Sequence, residues 1–139
     1  MTEKEVRAKL FRVRDLIKEE DRILEQAQKL TDRQLSITAQ LSDMPRGSSP
    51  FTTLDYVVGM DELYELFSQI RQEELREYKE ALILLNNLQG LEREVLVRYY
   101  LMMETWEQVA VHIQKGYRWT LTLHTRAIKN LVKFSAKAC

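Results

Sequence analysis

Cysteine is almost absent from this chain. The only one is Cys139, at the last of 139 positions, so neither an internal disulfide nor a cysteine-based zinc cage can form. Proline and glycine are also scarce, at two and four. Both prolines lie between residues 42 and 53, so long stretches elsewhere are free of helix breakers, and a fold with many tight turns is excluded. There is no Gly-rich phosphate-binding loop. No uninterrupted apolar run occurs in residues 1–30, so the expectation is a chain without a signal peptide or a membrane span. Acidic residues are missing from one region in particular: from Lys115 to the end there are six Lys/Arg and no Asp/Glu.

The charge balance gives that last absence its meaning. Overall, 21 basic residues offset 21 acidic ones. Residues 1–88 hold 13 Lys/Arg against 17 Asp/Glu, a net of −4, and residues 89–139 hold 8 against 4, a net of +4. A basic C-terminal part on an acidic scaffold is the asymmetry expected of a nucleic-acid-binding module. Basic residues near a helix C-terminus also complement the helix dipole, but six against none over twenty-five residues exceeds that need. A hydrophobic content of 45% suffices for a packed core, 30% charge argues for a soluble protein, and the single cysteine is compatible with a reducing cytoplasm.

The apolar pattern is helical throughout. Between about Thr2 and Leu41, Val6, Leu10, Val13, Ile17 and Leu24 form one stripe, and Leu16, Ile23, Leu30 and Ile37 fall one heptad apart. This predicts a long amphipathic helix with coiled-coil character, which needs a second helix to cover it. Residues 42–53, with both prolines and several Ser, Gly and Thr, read as a connector. A second long helix follows from Thr53 or Leu54 to Leu88. Val57, Met60, Tyr64, Phe67 and Ile70 form its stripe, continued by Tyr78, Leu82, Leu85 and Leu88. Gly59 inside it marks a kink or a close helix contact. Twelve connector residues permit an antiparallel hairpin, and any excess apolar surface is left for a second copy or a host protein.

Three short helices are expected after Leu88. Leu91, Val95, Leu96 and Tyr99 face inward on the first, which ends at Met102–Glu104. Thr105-Trp106-Glu107-Gln108 has the form of a capping box and opens a second helix through Val109, Ala110 and Ile113. Gln114-Lys115-Gly116 is a turn. The third helix starts near Tyr117 and runs to about Lys137, burying Leu123, Ala127, Leu131 and Phe134, with Ile128 at the seam.

The strings that carry this unit resemble region 4 of bacterial sigma factors: Leu91–Tyr99, then Thr105–Ala110, then Ala127–Leu131. In that family the second helix carries a Ser/Thr-x-Glu-Glu-Ile/Val-Ala signature. Small phage and prophage proteins of sigma-like kind are closer still, through Tyr117, Arg118, Trp119, Leu123, His124, Arg126 and Ala127. The resemblance rests on specific motifs over about a third of the chain and on architecture over the rest. It departs at Gln114, where the family usually has Gly, and in the few polar base-reading groups on the last helix.

The expected fold is therefore all-α: a long, coiled-coil-like helical hairpin (1–88, with connector 42–53), followed by a tri-helical helix-turn-helix domain (89–139). The resemblance implies a phage-type transcriptional regulator in the cytoplasm of a bacterial host, binding duplex DNA. RNA polymerase or another host protein would be its protein partner, and residues 1–88 could join a homodimer. The rival reading is a phage protein that modulates a host factor by protein contact on the same scaffold. Neither is an enzyme, and neither needs a cofactor. The DNA-contacting set is Lys115, Tyr117, Arg118, Leu121, Thr122, Thr125, Arg126, Lys129 and Lys133. Arg118 can donate bidentately to guanine, Thr122 can meet a thymine methyl or donate its hydroxyl, and Lys115 and Tyr117 lie at the turn, where phosphate is expected. Arg126, Lys129 and Lys133 would hold the backbone. Trp106 and Trp119 are expected to pack, His124 to hydrogen-bond at a helix interface, and the carboxylates of 61–80 to face solvent. His112 and His124 lack further ligands at metal-binding spacing.

Overall fold

The computed structural model describes residues 1–40 and 53–137. Leu41, connector residues 42–52 and Cys139 lie outside the described residues, as does the side chain of Ile37. Every element described is helical: α1 (Glu3–Gln40), α2 (Thr53–Leu85), α3 (Gly90–Leu96), α4 (Trp106–Ile113) and α5 (Tyr117–Lys137). A π-helical turn, Val97–Leu101, extends α3. The all-α class read from the sequence is the class of the structure. No helix among the described residues is long and apolar enough to cross a membrane.

Two compact units form, and they do not divide at residues 88 and 89. The first joins Met1–Leu16 to residues 73–137, and the second is Ile17–Gln72. The reason is visible in the first unit's core. Spacings of four and three bury Val6, Leu10, Val13 and Leu16 on the opening turns of α1, and the end of α2 buries Ala81 and Leu85. The ring of Phe11 meets that of Tyr100 edge-on, with centroids 5.1 Å apart. Arg14 lies 4.1 Å over the ring of Tyr99 and donates to its carbonyl oxygen. The three C-terminal helices thus share one core with the ends of the long hairpin. Each aliphatic side chain buried there contributes roughly 1.5–3 kcal/mol.

Within this unit α1 and α2 run antiparallel, since Lys9 pairs with Glu80 at 2.6 Å and Arg12 pairs with Glu73. The Lys9 ammonium holds the Glu80 carboxyl below its usual range through a hydrogen bond and its charge. These pairs are exposed, so they help set register while burial supplies the stability.

The second unit is a plain antiparallel pair. The hydroxyls of Thr31 and Tyr56 lie 3.4 Å apart, the Gln34 amide reaches the Thr53 hydroxyl at 3.4 Å, and Arg71 reaches the buried Glu20 at 3.4 Å. Gly59 marks a close contact. A Cβ built there would sit 2.8 Å from a methyl of Leu30.

Several stripe residues face outward. Leu24, Val57 and Tyr64 are exposed, while Leu63 takes an intermediate position and Ala81 is buried. Leu91 and Phe134 are exposed as well. Two crossing helices bury only a narrow arc, and a stripe defined by sequence spacing drifts out of that arc over several turns. Phe134 lies about one turn beyond buried Leu131 and borders an open depression with Leu88 and Glu92.

Because the core is shared, residues 89–139 cut free of the rest should lose cooperative thermal unfolding. Circular dichroism of that fragment beside the full chain measures this. Leu10→Ala in the full chain should cost about 2–5 kcal/mol, as a fully buried Leu does when its cavity stays open. Denaturant titration followed by Trp106 fluorescence would report the loss from the far end of the same core.

Candidate nucleic-acid interface

The C-terminal helices are set by two left-handed residues and one buried carboxylate. The π-turn ends with Met102 N–H donating to the Val97 carbonyl at 3.0 Å. Met103 then takes φ 61°, which reverses the chain before α4. Glu104 is buried in this link. It accepts from Arg98 Nη1 at 3.0 Å and from His112 Nδ1 at 2.5 Å, tying the π-turn to the last turn of α4. Thr105 closes the capping box expected from sequence: Gln108 N–H donates to its hydroxyl at 3.2 Å, and its own N–H donates to Gln108 Oε1 at 2.9 Å. Trp106 stacks on Tyr99 with centroids 3.8 Å apart and planes 10° from parallel, so this tryptophan packs.

The turn into α5 follows from the end of α4. Lys115 N–H donates to the Ala110 carbonyl at 3.1 Å and Gln114 N–H to that of Val111 at 3.2 Å, the paired bonds that close a helix through a left-handed residue. That residue is Gln114, at φ 58° and ψ 43°. The family departure noted at this position therefore falls where glycine would be least strained.

The inner side of α5 is fixed by Leu123 packing with Val95, Val109 and Ile113, and by buried Ala127, Ile128 and Leu131. Two polar groups share this side. Thr120 is fully buried and donates its hydroxyl to the Gly116 carbonyl at 2.9 Å. His124 and Tyr100 share a hydrogen bond of 2.7 Å. Burial holds His124 down at about 4, with the Arg7 charge adding to the effect, and burial pushes Tyr100 up to about 12. Both rings are therefore neutral near pH 7, and each satisfies the other.

The outer side of α5 carries most of the sequence-derived contact set. Arg118, Thr122, Thr125, Arg126, Lys129 and Lys133 recur at steps of three and four and are all exposed. Lys115 and Tyr117 are exposed at the turn, and Leu121 is half-buried at the margin. Thr122, Thr125, Arg126 and Lys129 meet around a shallow depression of about 410 Å³. Among the described residues no carboxylate pairs with Lys115, Arg118, Arg126, Lys129 or Lys133. The two threonines spend their hydroxyl protons on their own helix: Thr122 donates to the Arg118 carbonyl at 3.0 Å, and Thr125 to that of Leu121 at 3.2 Å.

Trp119 corrects the sequence reading. It is 45% exposed, with the Arg126 guanidinium 5.4 Å over its ring. Its spacing of four from Leu123 suggests burial. Its spacing of seven from Arg126 was the signal for the outer face, since residues seven apart nearly eclipse on a helix. No group of three or more His, Cys, Asp or Glu among the described residues could hold a metal ion.

No family model matches this chain, and no curated protein or solved structure does either.

Gln114→Gly should stabilise the chain by about 0.5–1 kcal/mol, the relief of a left-handed side chain less the extra freedom glycine has when unfolded. A calorimetric melt that shows no gain, or a loss, would contradict the cap assignment. His124 sets a pH window. The unfolded chain protonates it near 6.5, whereas the folded chain resists down to about 4. Between these values the unfolded state binds more protons, so stability falls as pH drops from 6.5 to about 4, by of order 2–3 kcal/mol. Urea titrations across that range should show the decline, and His124→Asn, which cannot titrate, should flatten it.

Proposed function

We propose that this chain is a phage-type transcriptional regulator that binds duplex DNA, with α4, the turn and α5 acting as a helix-turn-helix and the outer face of α5 entering the major groove. The carrying observation is the coincidence of three properties on that face. It is basic, it is exposed, and its cations have no carboxylate partners among the described residues. A face of this kind releases counterions when laid on phosphate, which supplies most sequence-independent affinity for DNA. Arg118, exposed near the start of α5, would donate to a guanine edge. Lys115 and Tyr117 at the turn, and Lys129 and Lys133 further along, suit phosphates. The resemblance to sigma region 4 supports the same assignment and makes RNA polymerase the natural protein partner. The chain acts by binding, not by catalysis, in the cytoplasm of a bacterial host.

A second reading is supported by a different observation. The pair of helices in the 17–72 unit leaves Leu24, Leu35, Val58, Tyr64 and Leu66 exposed, with a groove of about 240 Å³ floored by Ile23, Ala27, Met60 and Leu63. Leu24 and Tyr64 border that groove, and an apolar groove of this kind fits a protein that works through another chain. On this reading the protein modulates a host factor and keeps the C-terminal helices only as a scaffold.

Salt separates the two. If four to six phosphates are neutralised, the affinity for random duplex DNA should fall with a log–log slope of about −4 to −5. A fluorescence titration at several salt concentrations measures it. No binding at low salt would leave the protein-contact reading in place. Arg118→Ala should weaken binding to a selected site by about 1–3 kcal/mol without moving the melting temperature. Leu123→Ala should do the opposite, lowering stability by about 2–5 kcal/mol.

A further inference from the structure

On the outer face of α5, Thr122 and Thr125 lie among the exposed cations Arg118, Arg126 and Lys129. Thr122 and Thr125 both turn their hydroxyls back to carbonyls four residues earlier, at 3.0 and 3.2 Å. With the hydroxyl proton spent on the backbone, what each exposed threonine offers a ligand is chiefly its γ-methyl. Leu121 lies half-buried beside them, and the 45%-exposed indole of Trp119 lies on the other flank, beneath the Arg126 guanidinium. The depression that Thr122 and Thr125 share with Arg126 and Lys129 therefore brings two threonine methyls beside two cationic side chains. Apart from the cations, the hydroxyl protons that could serve base edges on this surface are engaged with the helix. A base edge that presents a carbon group fits it better than one that presents only donors and acceptors.

In the major groove that group is the 5-methyl of thymine, which apolar side chains and threonine methyls contact. Resting on the DNA-binding reading above, we infer that Thr122 and Thr125 read 5-methyl groups of pyrimidines, so that the preferred substrate is thymine-rich duplex DNA, with Arg126 and Lys129 held on the flanking phosphates. Arg126, drawn over Trp119, is pre-positioned at the rim, and the indole closes one side of the methyl-binding surface.

Two pairs of probes isolate the methyl. A short alternating dA–dT duplex is compared with the same duplex carrying deoxyuridine for thymidine. An alternating dG–dC duplex is compared with its 5-methylcytosine form. The full chain is titrated against each at fixed low salt, together with Thr122→Ser and Thr125→Ser, which keep the hydroxyl and lose only the methyl. Each methyl buried against carbon should tighten binding about fourfold, so the methylated member of each pair should bind about four- to fifteenfold better. The serine variants should shrink that ratio toward one while keeping the salt dependence.

Equal affinity within both pairs, with duplex binding and salt dependence intact, overturns the methyl reading and leaves the DNA reading standing. A methyl preference that survives both serine substitutions overturns the assignment to Thr122 and Thr125. Failure of the unmodified chain to bind any of the four duplexes at low salt removes the DNA reading and this inference with it.

Discussion

Tyr100 and His124 meet at the centre of the larger unit, and the placement of α5 depends on that meeting. Both side chains are buried. A buried hydroxyl or ring nitrogen left without a partner costs on the order of 1–3 kcal/mol, so the two groups are mutually obligate. The bond joins the π-turn after α3 to the third turn of α5. Around it Phe11 meets Tyr100 edge-on, Tyr99 stands nearly perpendicular to Tyr100, and Trp106 meets His124 at 4.9 Å. Apolar packing of Leu123, Ala127, Ile128 and Leu131 already holds α5 in place. A hydrogen bond of 2.7 Å inside a cage of rings adds a directional constraint, because its energy falls steeply with distance and angle. The outer face of α5 is thereby fixed in direction relative to the π-turn.

The π-turn serves the same end. One extra residue within a helical turn shifts every following side chain by about 100° around the axis. Here the turn lets consecutive residues Tyr99 and Tyr100 take different jobs. Tyr100 is buried against His124, while Tyr99 supports Trp106 on one side and receives Arg14 over its ring. The link that follows is held by Glu104, whose carboxylate is buried yet doubly paired, with Met103 in a left-handed conformation beside it. Strain at one residue and charge burial at the next are tolerated because Arg98 and His112 compensate locally.

Much of this fold was legible in the sequence, and the legible parts share a cause. Helix ends were read from chemistry that acts over three or four residues: Thr105 with Gln108, the Gln114-Lys115-Gly116 turn, and the start of α5 at Tyr117. The inner face of α5 was read through Leu123, Ala127 and Leu131 because a 3.6-residue period survives any partner. The misjudged residues depend on where a partner helix stops. Phe134 keeps the period but outruns the packed surface. Leu24 and Tyr64 belong to regular stripes on helices covered from one side only. The joining of residues 1–16 to the C-terminal helices was hidden for the same reason. Val6, Leu10 and Val13 announce a buried face, but nothing in their spacing says which residues, more than sixty positions away, will cover it.

The outer face of α5 poses a different problem, because its composition reads two ways. Counted by residue type, two threonines among four cations suggest hydrogen-bonding recognition. Counted by atoms, the hydroxyl protons are engaged with the helix, and the threonine methyls add carbon between the cations. A β-branched hydroxyl residue inside a helix bonds back to the preceding turn whenever nothing better is offered. The polarity of such a residue in a sequence therefore overstates its polarity on the surface. Trp119 makes the converse case. It counts as apolar, yet its ring face attracts a guanidinium, so it orients Arg126 while contributing carbon to the same face. Chemical character on a helical surface is set by which atoms remain after the helix has satisfied its own side chains. On α5 the atoms that remain are methyls, an indole, and the cations interleaved with them.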